Sequence, residues 1–208
     1  MPHAWWVFVC ISAAVIATPG PDTVLTVRNT LAGGRRGGLA TALGVVAGQL
    51  VWATATALGL VAVLLGSAAL FHAVKLAGAA YLVVLGVRAI VAALRDAPHG
   101  AAPRPNTRAP GARRAAVQGL LSNLGNPKMA LFFAGVFPQF APREHALAAM
   151  LAMGALFASM TALWLAGYAW AVARAARATR DRPVWRAVEA ASGLVLAGLG
   201  AWLAFERE

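Results

Sequence analysis

The sequence predicts an all-α integral membrane protein with six transmembrane helices, arranged as two inverted three-helix repeats. Hydrophobic residues make up 60% of the 208 residues and charged residues only 12%. Soluble domains carry about 25% charged residues, so the composition is typical of a membrane protein. The mean hydropathy of +0.69 agrees with this class. We therefore expect a single membrane domain over residues 1–208.

Six apolar runs are long enough to cross a hydrocarbon core, which takes roughly 20 helical residues. They occupy residues 5–27, 38–65, 73–94, 115–140, 146–173 and 187–205. Between the third and fourth runs, the proline- and glycine-containing segment 95–114 is predicted to be a linker. It separates a first repeat, residues 1–94, from a second repeat, residues 115–208. Because three is an odd number of spans, the second repeat enters the membrane from the opposite side, as in inverted-repeat transporters.

The basic residues predict the orientation of the chain. Fourteen of the 18 lysines and arginines lie around the connections that follow the first, third and fifth runs. The positive-inside rule places these connections, including the linker 95–114, in the cytoplasm and both termini outside. Basic loops also suit anionic lipid head groups. We favour this role over nucleic-acid binding as the reason for the net charge of +11.

Two predicted helix breaks lie at matching places in the two repeats. Pro19 and Pro21 flank Gly20 in the first run, and Pro127 interrupts the fourth run. At about 1.5 Å of rise per residue, both breaks are expected near mid-membrane. Proline removes a backbone donor, and such a break is tolerated at that depth only against protein or a water-filled cavity. Matching interrupted helices therefore indicate a transport site. The alternative interpretation of the first break is a simple kink, or a helix end at the membrane interface.

A charged residue directly follows each break: Asp22 in the first repeat and Lys128 in the second. A helix that restarts after a proline presents N–H groups and a positive dipole end to a carboxylate, and Lys128 would add a full charge. Asp22 is open to three roles: pairing with Lys128, receiving a substrate ammonium, or carrying a proton. An α-amino acid carries both complementary charges. The alternative for Lys128 is snorkelling toward the interface.

Neutral polar residues near the breaks are expected to supply further hydrogen bonds. These are Asn123, Asn126, Gln49, Gln118 and Gln139. For Gln49 and Gln118, a hydrogen bond between helices is at least as well supported as a substrate contact. The single cysteine, Cys10, allows no intramolecular disulfide, and the spans hold no cluster of metal ligands.

Glycines four residues apart predict close helix packing in and before the second run. The pairs are Gly34 with Gly38 and Gly44 with Gly48. Small residues at this spacing let two helix backbones approach closely. Such faces pack equally well within one chain or between two, so a homodimer is compatible with the sequence.

Several motifs resemble those of the LysE/RhtB family of amino-acid exporters. In the first half they are Pro-Gly-Pro-Asp at 19–22, Gly-Gly-Arg-Arg-Gly-Gly-Leu at 33–39, Leu-Gly-Val-Val-Ala-Gly at 43–48 and Gly-Ala-Ala-Tyr-Leu at 78–82. In the second half they are Asn-Pro-Lys at 126–128 and Phe-Pro-Gln-Phe at 137–140. The resemblance covers essentially the whole chain, and the combination is far more specific than any single motif.

The resemblance implies export of amino acids or close derivatives across a bacterial inner membrane by proton antiport, without a cofactor. The substrates would be of the homoserine, threonine, homoserine lactone or leucine type, and Asp22 with its prolines is closer to the homoserine/threonine branch than to the lysine exporters. The family's motif positions fall on Pro19, Gly20, Pro21, Asp22, Asn126, Pro127 and Lys128. Asp22 is the expected proton carrier.

Other functional classes fit the sequence less well. The four histidines have no nucleophile or metal-ligand spacing beside them, so we do not expect an enzyme. A Gly-x-x-x-x-Gly-Lys-Ser/Thr loop is missing from the sequence, so an ion gradient is the expected energy source. The remaining alternative is a channel, or an exporter of another small metabolite or ion.

Overall fold

The chain is helical throughout the described residues. The computed structural model describes residues 2–59, 67–95, 110–141, 145–178 and parts of 187–201. In chain order the elements are α1 (Pro2–Ala17), α2 (Pro21–Ala57), α3 (Ala68–Arg95), α4 (Ala112–Leu124), α5 (Pro127–Leu131), a π-helical turn (Phe132–Val136), a 3-10 turn (Phe137–Phe140) and α6 (Ala146–Ala178). Residues 190–192 and 194–198, in the last predicted run, are also helical. Because these ranges contain no strand, the prediction of an all-α protein is confirmed.

Many large apolar side chains face outward, and a number of neutral polar side chains are buried. Leu163 is 76% exposed and Leu43 is 67% exposed, whereas Asn29, Gln49 and Asn123 are buried. This distribution suits a lipid environment, where polar groups must find partners inside the protein. Within the described residues, α2 and α6 are each long and apolar enough to cross a membrane, and shorter apolar helices cover Trp5–Ala17 and Ala79–Arg88.

Both predicted helix breaks are present. The first separates α1 from α2, which begins with Pro21 after the extended residue Gly20. The second separates α4 from α5, which begins with Pro127 after the extended residue Asn126. Proline suits the first helical position because its fixed φ fits the helix and its missing N–H would have no partner there. α4 starts within the predicted linker, and residues 96–109 of that linker lie outside the described residues.

A sharp turn at Gly34 divides α2 into two helical segments, 21–33 and 35–57. Gly34 has φ of 65° and ψ of −166°, a conformation that favours glycine. A Cβ built on Gly34 would have no atom within 4 Å. The interpretation of Gly34 as part of a close-packing face is therefore wrong, since this glycine makes the turn between two helices.

The other glycines of α2 do provide close helix packing. α2 packs most extensively against α4 and α6. A Cβ on Gly44 would meet the carbonyl oxygen of Ala116, and a Cβ on Gly119 would meet the carbonyl oxygen of Thr41. Glycines on both helices therefore bring α2 and α4 into backbone contact, which joins the first part of the chain to the second.

An aromatic cluster joins α1, the turns after α5, and α6. Phe132 stacks on Phe157 with ring centroids 4.7 Å apart, and Phe8 meets Phe137 edge-on at 5.9 Å. Phe133 is fully buried in the same cluster. The π-helical turn leaves the Phe133 carbonyl to accept a hydrogen bond from the Thr56 hydroxyl at 3.2 Å. These contacts fix the helix segment that follows the second break.

Candidate functional site at the two helix breaks

A small cavity lies where the two breaks meet. Its volume is about 30 Å³, and its walls come from the end of α1, both segments of α2, the start of α5, and α6. Five predicted site residues line it, namely Gly20, Asp22, Gln49, Asn126 and Lys128. A space of this size holds one or two water molecules. The structure therefore brings residues from both predicted repeats together around one small, partly open space.

Asp22 reaches from the first break to the end of α4. One oxygen of its carboxylate accepts a hydrogen bond from the Ser122 hydroxyl at 2.8 Å, and the other accepts from the Asn123 amide at 2.8 Å. Asp22 also lies in the first turn of α2, where the helix dipole favours a negative charge. Two donors and the dipole together hold the carboxylate at the cavity wall.

Lys128 reaches from the second break to the end of α1. Its ammonium donates to the carbonyl oxygens of Val15 at 3.1 Å and Thr18 at 3.0 Å. Carbonyl groups at a helix end lack partners inside the helix and carry partial negative charge, so a cation is favourable there. A Cβ built on Gly20 would lie 3.5 Å from the Lys128 ammonium nitrogen, an ordinary contact distance, so Gly20 lies directly beside the ammonium.

The two charges line one cavity but do not pair directly. Asp22 takes its hydrogen bonds from Ser122 and Asn123, and Lys128 gives two of its three to carbonyl groups. An ammonium has three N–H donors, so one is available for a further acceptor. Direct pairing with Lys128, one of the three roles left open for Asp22, is not formed in this structure.

Asn126 caps α5. Its side-chain oxygen accepts a hydrogen bond from the Lys128 backbone N–H at 3.1 Å, and its backbone carbonyl accepts from Met129 at 3.0 Å and Ala130 at 3.1 Å. The amides expected to attract a carboxylate at this break are thus already bonded. Positive charge for an anion at the second break therefore comes from the Lys128 side chain.

Gln49 both links two helices and lines the cavity. Its amide nitrogen donates to the Thr161 hydroxyl of α6 at 3.1 Å. Its amide oxygen is buried without a hydrogen-bond partner among the described residues. A hydrogen bond between helices and a substrate contact are thus compatible roles for Gln49. The amide nitrogen joins the two helices, and the amide oxygen remains unbonded among the described residues.

Asn123 occupies the contact between α2 and α4. Its side chain packs against Gly48, and its backbone carbonyl accepts from the Trp52 indole at 3.3 Å. The side-chain oxygen is buried without a hydrogen-bond partner among the described residues. These contacts hold the amide group that donates to Asp22.

The other proposed residues do not line the cavity. Pro21 and Pro127 start the two helices, and Pro19 is exposed beside the first break. Gln118 is buried elsewhere and accepts from Asn29 at 3.0 Å. Gln139 is exposed and donates to the Gly135 carbonyl.

Several residues that contribute to the site were not predicted from the sequence, and three of them are polar or aromatic residues on α4 and α6. Ser122 bonds Asp22, and Thr161 and Trp164 contribute the α6 wall. Ser122 stands next to the named Asn123, and Thr161 is one of few polar residues in α6, so each was weakly indicated by the sequence. Which of them faces the breaks depends on how the helices cross, which the sequence does not state.

The helical fold, its polar interior and two charged helix breaks around one cavity define a membrane transporter of the broken-helix class. Residues 13–207 match the family described as LysE type translocator. The chain belongs to this family, as the motif resemblance implied. No solved structure matches the chain.

Relatives align along nearly the full length. The chain is similar to the homoserine/homoserine lactone efflux protein of Salmonella typhimurium, at 29% identity over 100% of this chain and 99% of the relative. It is similar to the threonine efflux protein of Escherichia coli K12, at 27% identity over 95% of each chain. An uncharacterized membrane protein of Bacillus subtilis is 28% identical over 95% of this chain and 97% of its own length.

Proposed function

We propose that the protein exports small amino acids or close derivatives from the cytoplasm across the bacterial inner membrane, as a proton antiporter. The observation that carries this proposal is that Asp22 and Lys128, from opposite halves of the chain, line one cavity at two helix breaks. A carboxylate and an ammonium in one cavity are complementary to the ammonium and carboxylate of an amino acid. The efflux functions in the names of the relatives support the same substrate class.

Substrate binding would use both charges. The third N–H of Lys128 would donate to the substrate carboxylate, and Asp22 would receive the substrate ammonium in place of one of its present donors. Homoserine and threonine are the favoured candidates, since the relatives are named for their efflux. The efflux experiment below compares homoserine with threonine directly.

Proton coupling is assigned to Asp22. Its carboxylate is the titratable acid at the cavity, and exchanging a proton for the substrate ammonium there would link the two movements. The sequence contains no phosphate-binding loop of the Gly-x-x-x-x-Gly-Lys-Ser/Thr type, which favours a gradient as the energy source.

The architecture proposed for this function is six spans in two inverted repeats, residues 1–94 and 115–208, with both termini outside. The reciprocal bonds support it, since the charge at each break is held by the helix end at the other break. The distribution of basic residues supports the orientation. A homodimer stays a prediction, but the glycine faces of α2 no longer support it, because Gly38, Gly44 and Gly48 pack against residues of the same chain.

Within the proposed cycle, the small cavity volume fits a state that has no room for substrate. A space of about 30 Å³ is smaller than an amino acid, so the helices around the breaks must separate to admit substrate. Separation of α1 from α5, or of α2 from α4, would widen the cavity toward one side at a time.

The test is efflux from proteoliposomes preloaded with labelled homoserine, threonine, homoserine lactone, leucine or lysine, with and without an imposed pH gradient. We expect selective, saturable loss that the gradient accelerates, together with counterflow. Protein-free vesicles and an Asp22→Asn variant are the controls. Loss without saturation or counterflow would indicate a channel, and no loss of any amino acid from vesicles with folded protein would refute amino-acid export.

A further inference from the structure

We propose that Gln49 determines specificity by accepting a hydrogen bond from the side-chain hydroxyl of a small hydroxy amino acid. This inference rests on the proposed function and deepens it, because it assigns the recognition of the substrate side chain to one residue. Asp22 and Lys128 match the two charges that every amino acid carries, so they do not distinguish one side chain from another.

The unbonded oxygen of Gln49 is the first reason. The side chain is 2% exposed and its amide oxygen has no hydrogen-bond partner among the described residues. Protein interiors pair most buried acceptors, because an unpaired one costs free energy. Gln49 also lines the cavity, so a substrate that enters and widens it can supply the missing donor.

The anchoring of Gln49 is the second reason. Its amide nitrogen donates to Thr161 at 3.1 Å, which ties α2 to α6 and fixes the direction of the amide group. An acceptor held by a buried partner is already oriented for a ligand and loses little freedom on binding. Thr161 is thus a positioning residue for the Gln49 oxygen.

The remaining cavity wall explains why the donor is a hydroxyl. Met129, Phe157 and Leu165 are buried apolar residues that line the cavity with Gln49. Polar residues also line the cavity, namely Thr18, Thr23, Asn126 and Thr161. Among the described lining residues, however, the Gln49 oxygen is the one buried side-chain acceptor without a hydrogen bond. This combination of apolar wall and one open acceptor suits a short apolar side chain that ends in one donor. A substrate of the same shape without the donor leaves the Gln49 oxygen unpaired, and a site of this kind discriminates against it.

The experiment compares substrates of equal shape in proteoliposomes. Threonine and valine differ by a hydroxyl in place of a methyl group, and so do homoserine and norvaline. The wild type should export each hydroxy compound about 2- to 10-fold better than its partner, the effect of one neutral hydrogen bond. For each pair, the export ratio is the export rate of the hydroxy compound divided by that of its partner. Gln49→Met should bring both export ratios close to one.

The matched control is Gln118→Met. Gln118 is also buried and bonds another helix through Asn29, but it does not line the cavity. Its loss should lower export of all four compounds together and leave both ratios unchanged. A merely structural role for Gln49 would give this same pattern in Gln49→Met.

Thr161→Val provides a second test that retains Gln49, and it applies equally if Gln49→Met does not fold. It should lower both ratios, since the amide loses its anchor. Equal export of each pair by the wild type, or ratios unchanged in the folded variants, would overturn the inference and leave amino-acid export standing. Absence of all amino-acid export by folded wild-type protein would instead refute the proposed function, and the inference with it.

Discussion

The Lys128 ammonium donates a hydrogen bond to the Thr18 carbonyl at 3.0 Å, which joins the second helix break to the first. Asp22 makes the opposite connection, because it leaves the first break and accepts from Asn123 beside the second. Each charge is therefore held by the half of the chain to which it does not belong. Any movement that separates the halves must exchange these bonds for others.

Asp22→Asn is expected to keep the fold and to weaken proton-coupled export about tenfold or more. The amide oxygen can still accept a hydrogen bond from Ser122, but the side chain no longer carries a proton or a negative charge. Export should then become nearly independent of the imposed pH gradient. Efflux measured across a series of internal and external pH values tests this.

Ser122→Ala is the control for the Asp22 variant, since it removes a neutral donor and leaves the carboxylate. It should lower export modestly and preserve the dependence on the gradient. Gradient-driven export by Asp22→Asn at the wild-type rate, at every pH, would show that Asp22 is not the proton carrier.

Lys128→Met is expected to impair export of homoserine more than export of homoserine lactone. The lactone lacks the free carboxylate that Lys128 would bind. The variant also leaves the Val15 and Thr18 carbonyls without their donor, at a cost of about 1–2 kcal/mol in the free energy of unfolding. Competition between the two labelled compounds, together with thermal unfolding, measures both effects.

Lys128→Arg separates charge from shape, since it keeps the cation and changes its geometry. It should retain more homoserine export than Lys128→Met. An equal loss for homoserine and its lactone in Lys128→Met would assign the lysine to capping α1 alone.

Asn29→Leu is expected to lower the free energy of unfolding by about 1–3 kcal/mol, since it leaves a buried acceptor unpaired. Asn29 donates to Thr41 at 2.9 Å and to Gln118 at 3.0 Å, and thereby links α2 to α4. Adding Gln118→Leu should recover part of the loss, because both partners are then apolar. Thermal unfolding of the two single variants and the double variant measures this double-mutant cycle. Additive losses in the free energy of unfolding would mean that the two side chains act independently.

Gly44→Ala is expected to destabilise the protein by about 1–3 kcal/mol, because the added methyl group would overlap the Ala116 carbonyl. Gly167→Ala in α6 is the matched control. No atom lies within 4 Å of a Cβ built there, so the higher helix propensity of alanine should stabilise it by up to about 1 kcal/mol. Thermal unfolding of both variants in one detergent tests the contrast. If the Gly44→Ala protein were as stable as the Gly167→Ala protein, α2 and α4 would be packed less closely than this structure shows.

Local features of the site could be predicted from the sequence. Prolines mark the two breaks because they restrict the backbone wherever they stand, and Asp22 and Lys128 are conspicuous because charges are costly in apolar runs. The structure brings both charges to one cavity together with Gln49 and Asn126. Features of the site that depend on one residue and its neighbours in the chain could therefore be predicted from the sequence.

Features that depend on helix crossing could not be predicted. Ser122 and Thr161 reach the site because α4 and α6 pack against α2 with particular faces. Gly34 belongs to a motif whose spacing suits close packing, yet the chain turns there with positive φ. For Ser122 and Thr161 the crossing of the helices decides, and for Gly34 the residue type alone allows both a turn and a close contact.

The small cavity also bears on proton leakage. It has room for one or two water molecules, and the aromatic rings of Phe8, Phe132 and Phe137 pack in one cluster with the wall residues Met129 and Phe157. A proton crosses a membrane quickly along a continuous file of water, and one or two molecules span only a small part of a hydrocarbon core about 30 Å thick. If the protein works by proton antiport, as proposed, so little water between the two breaks would limit the leakage of protons between transport cycles.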